Sequence, residues 1–441
     1  MKTYILNSSA LASLSVADIV ANLQKKSKLK IVDIQPEHTE IFRQVIEELC
    51  KQNINFHELI LDVSIPKSCA IITISSLLKG SITALSITQE EEEEIGHLDE
   101  LIQKISDALG DGVLKLDTLS FDLKQEVDFS SLADALKKNC FLTNLNISQS
   151  FGFDTLRIHH LACIFEALAQ SSPEHADCGA GNNHLTQLKL SNIAVPDISE
   201  EPATFDSLLA LNSMLRNNTS LTSFAFEETG EGFSAEDIEI IMNGLKNNKT
   251  LKVLSFAENC LKDENIICIA NNLPENLERL NLSNQIKFLG CTMEEADIEL
   301  HLMTCIVAKE RVKDISLWDG LIYILNYLGE HNQPLEIDFY NNIMPEEALT
   351  RTHQKNCNGD IGDELEDLRE LINRNKAMIQ DIKALLSSPN LEFIVSVNCE
   401  FLTNVSKPSL DKNAHFLTIW AKAREQYVKV TRDYNSQFQL T

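Results

Sequence analysis

The stretch LTNLNIS at residues 142–148 decides the fold, because its pattern recurs along the chain. The pattern is LxxLxL, with apolar residues at the first, fourth and sixth positions. Close copies begin at residues 185, 221, 251 and 277, and looser copies begin at Met1, Leu29, Phe56, Ile82, Leu116, Val312 and Pro334. A further candidate lies near Leu391, where the register can be read in more than one way. Self-similarity at such intervals is typical of a repeat architecture.

Each copy combines a short strand with a helix. Alternation places Leu145 and Ile147 on one face of a strand, and Asn146 and Ser148 on the other. Between copies, as at 132–139 and 241–248, apolar residues recur at helical spacing. One such unit cannot bury its apolar face alone, whereas stacked units form a parallel sheet on one surface and helices on the other.

We therefore predict an α/β solenoid over residues 1–342. Helices are wider than strands, so the stack is expected to curve with its strands on the inner, concave side. The predicted interior positions that align along the stack are Leu145, Leu188, Leu254 and Leu280.

The tract ALKKNCFLTNLNIS at 135–148 and its relatives resemble the ribonuclease-inhibitor type of leucine-rich repeat, over roughly residues 1–342. This resemblance implies a horseshoe that binds other proteins. The chain departs from the family in its irregular spacing and in its few asparagines at the ninth repeat position, where Asn259 and Asn342 qualify. Its irregular, Lys/Asn/Ile-rich style also resembles leucine-rich-repeat effectors that intracellular bacteria inject into host cells, which implies a role in virulence.

The composition narrows the choice of partner. Lys and Arg number 38 against 65 Asp and Glu, a formal charge of -27. Such an acidic surface disfavours nucleic acid and anionic membranes, and either favours a basic protein segment or simply keeps the chain soluble. The 11 cysteines form no CxxC pair, which favours a reducing compartment. Without an 18-residue apolar stretch or a signal-peptide core, we expect a cytoplasmic protein, or a host-cytosolic one if it is an effector.

No sequence motif indicates chemistry. GxGxxG, Walker-type, HExxH and GxSxG patterns do not occur, so we expect no cofactor and no catalytic site. In the insertion 171–184, the residues that zinc could use are His175, Asp177, Cys178 and His184. Their spacing matches no closed structural site, so we expect a surface loop and no metal. The acidic run 90–94 precedes a helical pattern and indicates a solvated helix start.

The chain beyond the repeats is predicted as a linker at 343–363 and a helical capping region at 364–441. The apolar stripe at 365–386 could instead be a coiled-coil seam for self-association. The helix predicted at about 411–430 would bury the terminal edge of the core. The enzymatic alternative resembles bacterial leucine-rich-repeat ubiquitin ligases, with Cys357 or Cys399 as candidate nucleophiles. The region is short for that catalytic domain, so we predict a non-catalytic binding module.

The predicted partner-binding surface is the inner strand face. Trp318 and Tyr340 follow apolar residues at the same position of successive predicted repeats, so they are expected side by side on adjacent strands. Exposed aromatic pairs dominate binding hot spots, although the C-terminal region could instead bury this pair. The charged residues predicted to join them are Glu227, Glu258, Asp314, Asp319, Asp338 and Arg279. We predict that this surface binds a basic protein segment.

Overall fold

The computed structural model describes residues 3–24, 26–52, 54, 56–77, 82–89, 95–149, 156–169, 184–198, 201–229, 232–285, 318–331, 333, 335–339, 373, 376–388 and 395–398. The chain forms two compact units, Met1–Phe226 and Glu227–Thr441. In both units, parallel strands alternate with helices, which confirms the predicted α/β class.

The strands of the first unit follow one another in chain order and are parallel. They are β1 (Thr3–Leu6), β2 (Lys28–Ile31), β3 (Glu58–Asp62), β4 (Ala84–Thr88), β5 (Thr118–Leu123), β6 (Asn144–Gln149), β7 (Gln187–Ser191) and β8 (Ser223–Glu227), the last of which ends at the first residue of the second unit. β8 joins β7 through the Thr222 and Ser223 amides, which donate to the Thr186 carbonyl at 2.8 and 3.0 Å.

Helices connect these strands. They are α1 (Ser8–Ser13), α2 (Val16–Leu23), α3 (Thr39–Lys51), α4 (Lys67–Leu77), α5 (Leu98–Gly110), α6 (Ser130–Leu136), α7 (Ala162–Ala169) and α8 (Pro202–Asn217), with 3-10 turns at Pro36–His38 and Ile158–Leu161. In α3, apolar side chains at helical spacing are fully buried, as Phe42, Val45, Ile46 and Leu49 show. From α2 to α8, successive helices pack against each other. Each helix therefore buries one apolar stripe, which one strand–helix unit could not do alone.

The second unit continues the same alternation. Its strands β9 (Val253–Ser255), β10 (Arg279–Asn281), β11 (Leu335–Asp338) and β12 (Val395–Asn398) are parallel and pair in that order. Its helices are α9 (Ala235–Leu245), α10 (Asp263–Asn271), α11 (Trp318–His331) and a helical segment at 376–386. Helices α10 and α11 approach closely at Gly320, whose amide donates to Asp263 Oδ1 at 2.7 Å.

The predicted interior positions are confirmed within each unit. Leu145 pairs in register with Leu188 in the first unit, and Leu254 pairs with Leu280 in the second. All four side chains are at most 1% exposed. We call the apolar residues at the fourth and sixth LxxLxL positions rung residues. The rows they form at these two positions are continuous from β2 to β8 and from β9 to β11.

Two predicted repeat starts need correction. Leu29 pairs with Tyr4 and is therefore a fourth-position rung residue, three residues from its predicted register. The predicted strand beginning at Val312 lies outside the described residues up to 317. It cannot be the neighbour of β11, because both edges of β11 are occupied, by β10 and β12. Near Leu391, the structure places Val397 opposite Ile337 as the rung residue.

Asparagines at the ends of helices form a polar counterpart to the rungs. Asn139, Asn218 and Asn248 each lie three residues before an LxxLxL pattern and are at most 5% exposed. Each side-chain Oδ1 accepts the two backbone amides that lead into the next strand, at 2.8–3.0 Å. The amide groups of Asn139 and Asn218 also donate to carbonyls at the end of the preceding helix. These asparagines therefore set the turn from helix to strand.

Candidate functional site

The outward strand face of the second unit carries the predicted charged residues that the structure describes. Leu280 and Ile337 point into the core and are fully buried, so the residues on either side of them point outward. On β10 the outward residues are Arg279 and Asn281. They lie in register with Glu336 and Asp338 of β11, respectively. Neighbouring strands thus present two aligned pairs of polar side chains.

An ion pair connects β10 to β11 on this face. Arg279 Nε lies 2.6 Å from Asp338 Oδ2, one strand across and one outward position along. The Arg279 side chain is 50% exposed, whereas the Asp338 side chain is 7% exposed. The guanidinium therefore covers a nearly buried carboxylate. Charge-assisted hydrogen bonds of this length are stronger than neutral ones. The structure brings together these two predicted site residues.

Glu227 and Glu258 occupy the ends of two successive strand segments. Glu227 is the last residue of β8 and accepts a hydrogen bond from Ser255 Oγ on β9. Glu258 follows the rung residue Phe256 by two positions and has a left-handed backbone, with φ of 61°. Its amide donates to the Ser283 carbonyl at 3.0 Å, and its carboxylate accepts from Asn284 Nδ2 at 3.1 Å. Both carboxylates are therefore held in place by the neighbouring segment.

A buried amide network supports these strand ends, and sequence reasoning found only part of it. Asn259, at the ninth repeat position, is fully buried and accepts the Thr229 amide at 3.0 Å. Gln285 holds the same position one repeat later and is 3% exposed. Its Oε1 accepts the amides of Asn259 and Leu261 at 3.2 and 3.0 Å, and its Nε2 donates to the Phe256 carbonyl at 2.6 Å. Glutamine replaces the expected asparagine, so a search for asparagine alone misses it.

The predicted aromatic pair on adjacent strands is wrong in its geometry. Trp318 is the first residue of helix α11, not the residue after a strand. β11 pairs with β10 on one side and β12 on the other, so no strand that ends at 317 can lie beside it. Helical periodicity prevails here: Leu321, Ile324, Leu325 and Leu328 are fully buried at three- and four-residue spacing.

Several predicted residues lie outside the described part of the chain. Among the site residues these are Asp314 and Tyr340, together with the side chains of Trp318 and Asp319. The others are the zinc candidates His175, Asp177 and Cys178, the acidic run 90–94, the linker 343–363, Cys357, Cys399 and the helix at 411–430. Their predicted roles stay predictions.

Two further features of the described residues concern metal ions and membranes. Within them, no group of three or more His, Cys, Asp or Glu side chains is arranged to hold a metal ion. No helix in the same ranges is long and apolar enough to cross a membrane. Among the described cysteines, Cys69, Cys140, Cys163 and Cys268 are free thiols.

Comparison with protein-family models gives no match, and comparison with curated proteins gives none either.

Proposed function

We propose that the chain is a leucine-rich-repeat protein that binds a basic segment of a protein partner, without catalysis, through the outward strand face of residues 227–441. The proposal includes the ribonuclease-inhibitor-type horseshoe, with this face on its concave side. In-register rung residues on parallel strands support a repeat architecture. The buried amides of Asn259 and Gln285 at the ninth position support the leucine-rich class.

The observation that carries the partner assignment is the charge on this face. Its described carboxylates include those of Glu227, Glu258, Glu336 and Asp338, against the guanidinium of Arg279 and the ammonium of Lys252, which pairs with Glu278 at 3.3 Å. Arg279 and Asp338 form an ion pair at 2.6 Å, so their charges offset each other and the excess negative charge lies on the other carboxylates, among them Glu227, Glu258 and Glu336. The described part of the face is negative, and complementary charge accelerates encounter and selects a basic partner.

Binding to a lysine-rich peptide tests this proposal. The variant Glu258→Gln/Glu336→Gln removes two carboxylates from the face and keeps side-chain size. The control Glu239→Gln/Glu264→Gln makes the same change in net charge on exposed positions of α9 and α10. Fluorescence anisotropy with the labelled peptide should show about fivefold weaker binding for the first variant, at up to about 0.5 kcal/mol per exposed charge. The control should bind like the unmodified protein.

Two outcomes would contradict the proposal. Equal weakening in both variants would show attraction to overall charge rather than to this face. Equal affinity for a length-matched glutamate-rich peptide would show that charge complementarity has no part in binding.

The location of the partner forms the second part of the proposal. The free thiols of Cys69, Cys140, Cys163 and Cys268 suit a reducing cytosol. The resemblance to bacterial leucine-rich-repeat effectors suggests that the cytosol is a host cell's and the partner a host protein. Secretion of the tagged chain into infected cells by a bacterium that carries its gene tests this part. Retention in the bacterium would contradict it.

A further inference from the structure

A cluster of histidine, glutamate and arginine side chains joins three successive repeats of the first unit. Glu126 follows β5, Arg157, His159 and His160 follow β6, and Glu201 follows β7. His160 Nε2 lies 2.8 Å from Glu126 Oε1, and Arg157 Nη1 lies 2.8 Å from Glu201 Oε2. The segment that begins α7 is therefore tied to the repeat before it and to the repeat after it.

The hydrogen bonds of His160 define its protonation state. The Arg157 backbone amide donates to His160 Nδ1 at 3.0 Å, so Nδ1 is an acceptor and carries no proton. The ring proton is then on Nε2, where it points to the Glu126 carboxylate. A second proton can bind only at Nδ1, and that proton would face the Arg157 N–H. Protonation of His160 therefore removes a backbone hydrogen bond at the start of the 3-10 turn.

The surroundings of the ring also disfavour a second proton. The His160 side chain is only 10% exposed. The groups that face the ring are Glu126, Arg157 and His159, and the ring centroids of His159 and His160 are 4.0 Å apart. Cys163 Sγ donates a hydrogen bond to the His160 carbonyl. Glu201 contacts the ring of His159. Burial is the largest influence and lowers the pKa of His160, and neighbouring His159 and Arg157 lower it further while Glu126 opposes them.

We propose that His160 is an acid-sensitive latch: when neutral it holds the start of α7 to the flanking repeats, and when protonated it releases that segment. The sign follows from linkage. A histidine in the opened segment protonates near its ordinary pKa of about 6.5, above its pKa in the closed latch. Closure is therefore favoured above about pH 6.5 and weakens as the pH falls below that value. For one proton, the opening constant rises by at most about tenfold per pH unit.

Hydrogen exchange measured by mass spectrometry on the full chain tests the latch. Protection of peptides within 156–169 should fall between about pH 7.5 and pH 5.5, after correction for intrinsic exchange, on either side of the histidine pKa of about 6.5. The chain contains a matched internal control. At α10, the Lys262 amide donates to Asn265 Oδ1 at 2.8 Å, which is the same backbone bond with an acceptor that does not titrate. Peptides within 261–271 should keep their corrected protection.

The variant His160→Asn copies the α10 arrangement and should abolish the pH response at 156–169. A response that persists in this variant would assign the titration to His159 and overturn the proposal. Glu126→Gln keeps an acceptor for Nε2–H but removes the charge that favours the imidazolium in the closed segment, so the loss of protection should begin near the same pH and extend to lower pH than in the unmodified chain. Loss of protection that ends at the same pH in Glu126→Gln and in the unmodified chain, or unchanged protection of the unmodified chain across the pH range, would overturn it even if His160→Asn fails to fold.

Discussion

Replacement of Asn218 by alanine tests whether the helix-end asparagines hold successive repeats together. Asn218 follows α8 directly and is 5% exposed. Its Oδ1 accepts the amides of Ser220 and Leu221 at 3.0 and 2.8 Å, and its Nδ2 donates to the Leu168 carbonyl at 3.1 Å. Alanine leaves these three backbone groups without their partner. At about 1 kcal/mol for each bond, we expect a loss of about 3 kcal/mol in the free energy of unfolding.

The chain supplies both a replicate and a control for this experiment. Asn139 makes the same three bonds, to Phe141, Leu142 and Leu109, so Asn139→Ala should cost a similar amount. The neighbouring Asn217 is exposed, and Asn217→Ala should cost less than about 0.5 kcal/mol. Urea unfolding followed by circular dichroism measures all three variants. If Asn218→Ala and Asn139→Ala unfold at the same urea concentration as Asn217→Ala, the asparagines do not tie the repeats together.

Two further predictions concern packing, each with its control, and both are read from the free energy of unfolding in urea. Gly320→Ala places a Cβ 2.9 Å from Asp263 Oδ1 and should destabilise by about 1–3 kcal/mol, whereas Gly96→Ala, with open space around it, should be nearly neutral. Equal effects would show that the α10–α11 contact is not tight. Leu145→Ala should cost about 2–5 kcal/mol as a rung residue, against less than about 1 kcal/mol for its outward neighbour Asn146→Ala. A reversed order would contradict the inward and outward assignment of β6.

Apolar periodicity was sufficient to predict most strands in their correct register. The LxxLxL pattern at residue 116 predicts Leu119 and Phe121 as rung residues, and both are fully buried on β5. Register is well defined by sequence wherever one strand face is buried, because a shift by one residue would expose every apolar side chain. This reasoning holds for β3 to β8 and for β9 to β11.

The failures have physical causes in the local sequence. Around β2, apolar residues occur at Leu29, Ile31, Val32 and Ile34, so two registers satisfy the pattern. The structure places Leu29 and Ile31 on the strand and buries the other two in the following turn. At 312–317 the pattern stands directly before the strong helical stripe of α11, and pairing in the sheet passes from β10 to β11. Short apolar patterns do not reveal which strands become neighbours.

The candidate site was predictable in its charges but not in its contacts. Arg279 and Asp338 are 59 residues apart, and their ion pair depends on β10 and β11 being neighbours. From the sequence alone, Arg279 counts as a positive charge that a partner could contact. The structure instead shows it covering a nearly buried carboxylate. This pairing offsets one positive and one negative charge, so the negative charge open to a partner lies on the other carboxylates, among them Glu227, Glu258 and Glu336.

Different residue types fill the same polar position at the helix start in different repeats. This variation contributes to the irregular sequence and underlies the acid-sensitive latch. At the start of α9, the Ser234 amide donates to the Asp237 carboxylate at 2.8 Å, three residues along. Asn265 accepts the corresponding amide at α10, and His160 accepts it before α7. The backbone requires only an acceptor at this position, so carboxylate, amide and imidazole are interchangeable for the fold. Their protonation differs, however, and only imidazole has an ordinary pKa near neutrality, about 6.5. A residue that satisfies one structural requirement can thus add a pH response to a single repeat while the apolar rungs remain the same.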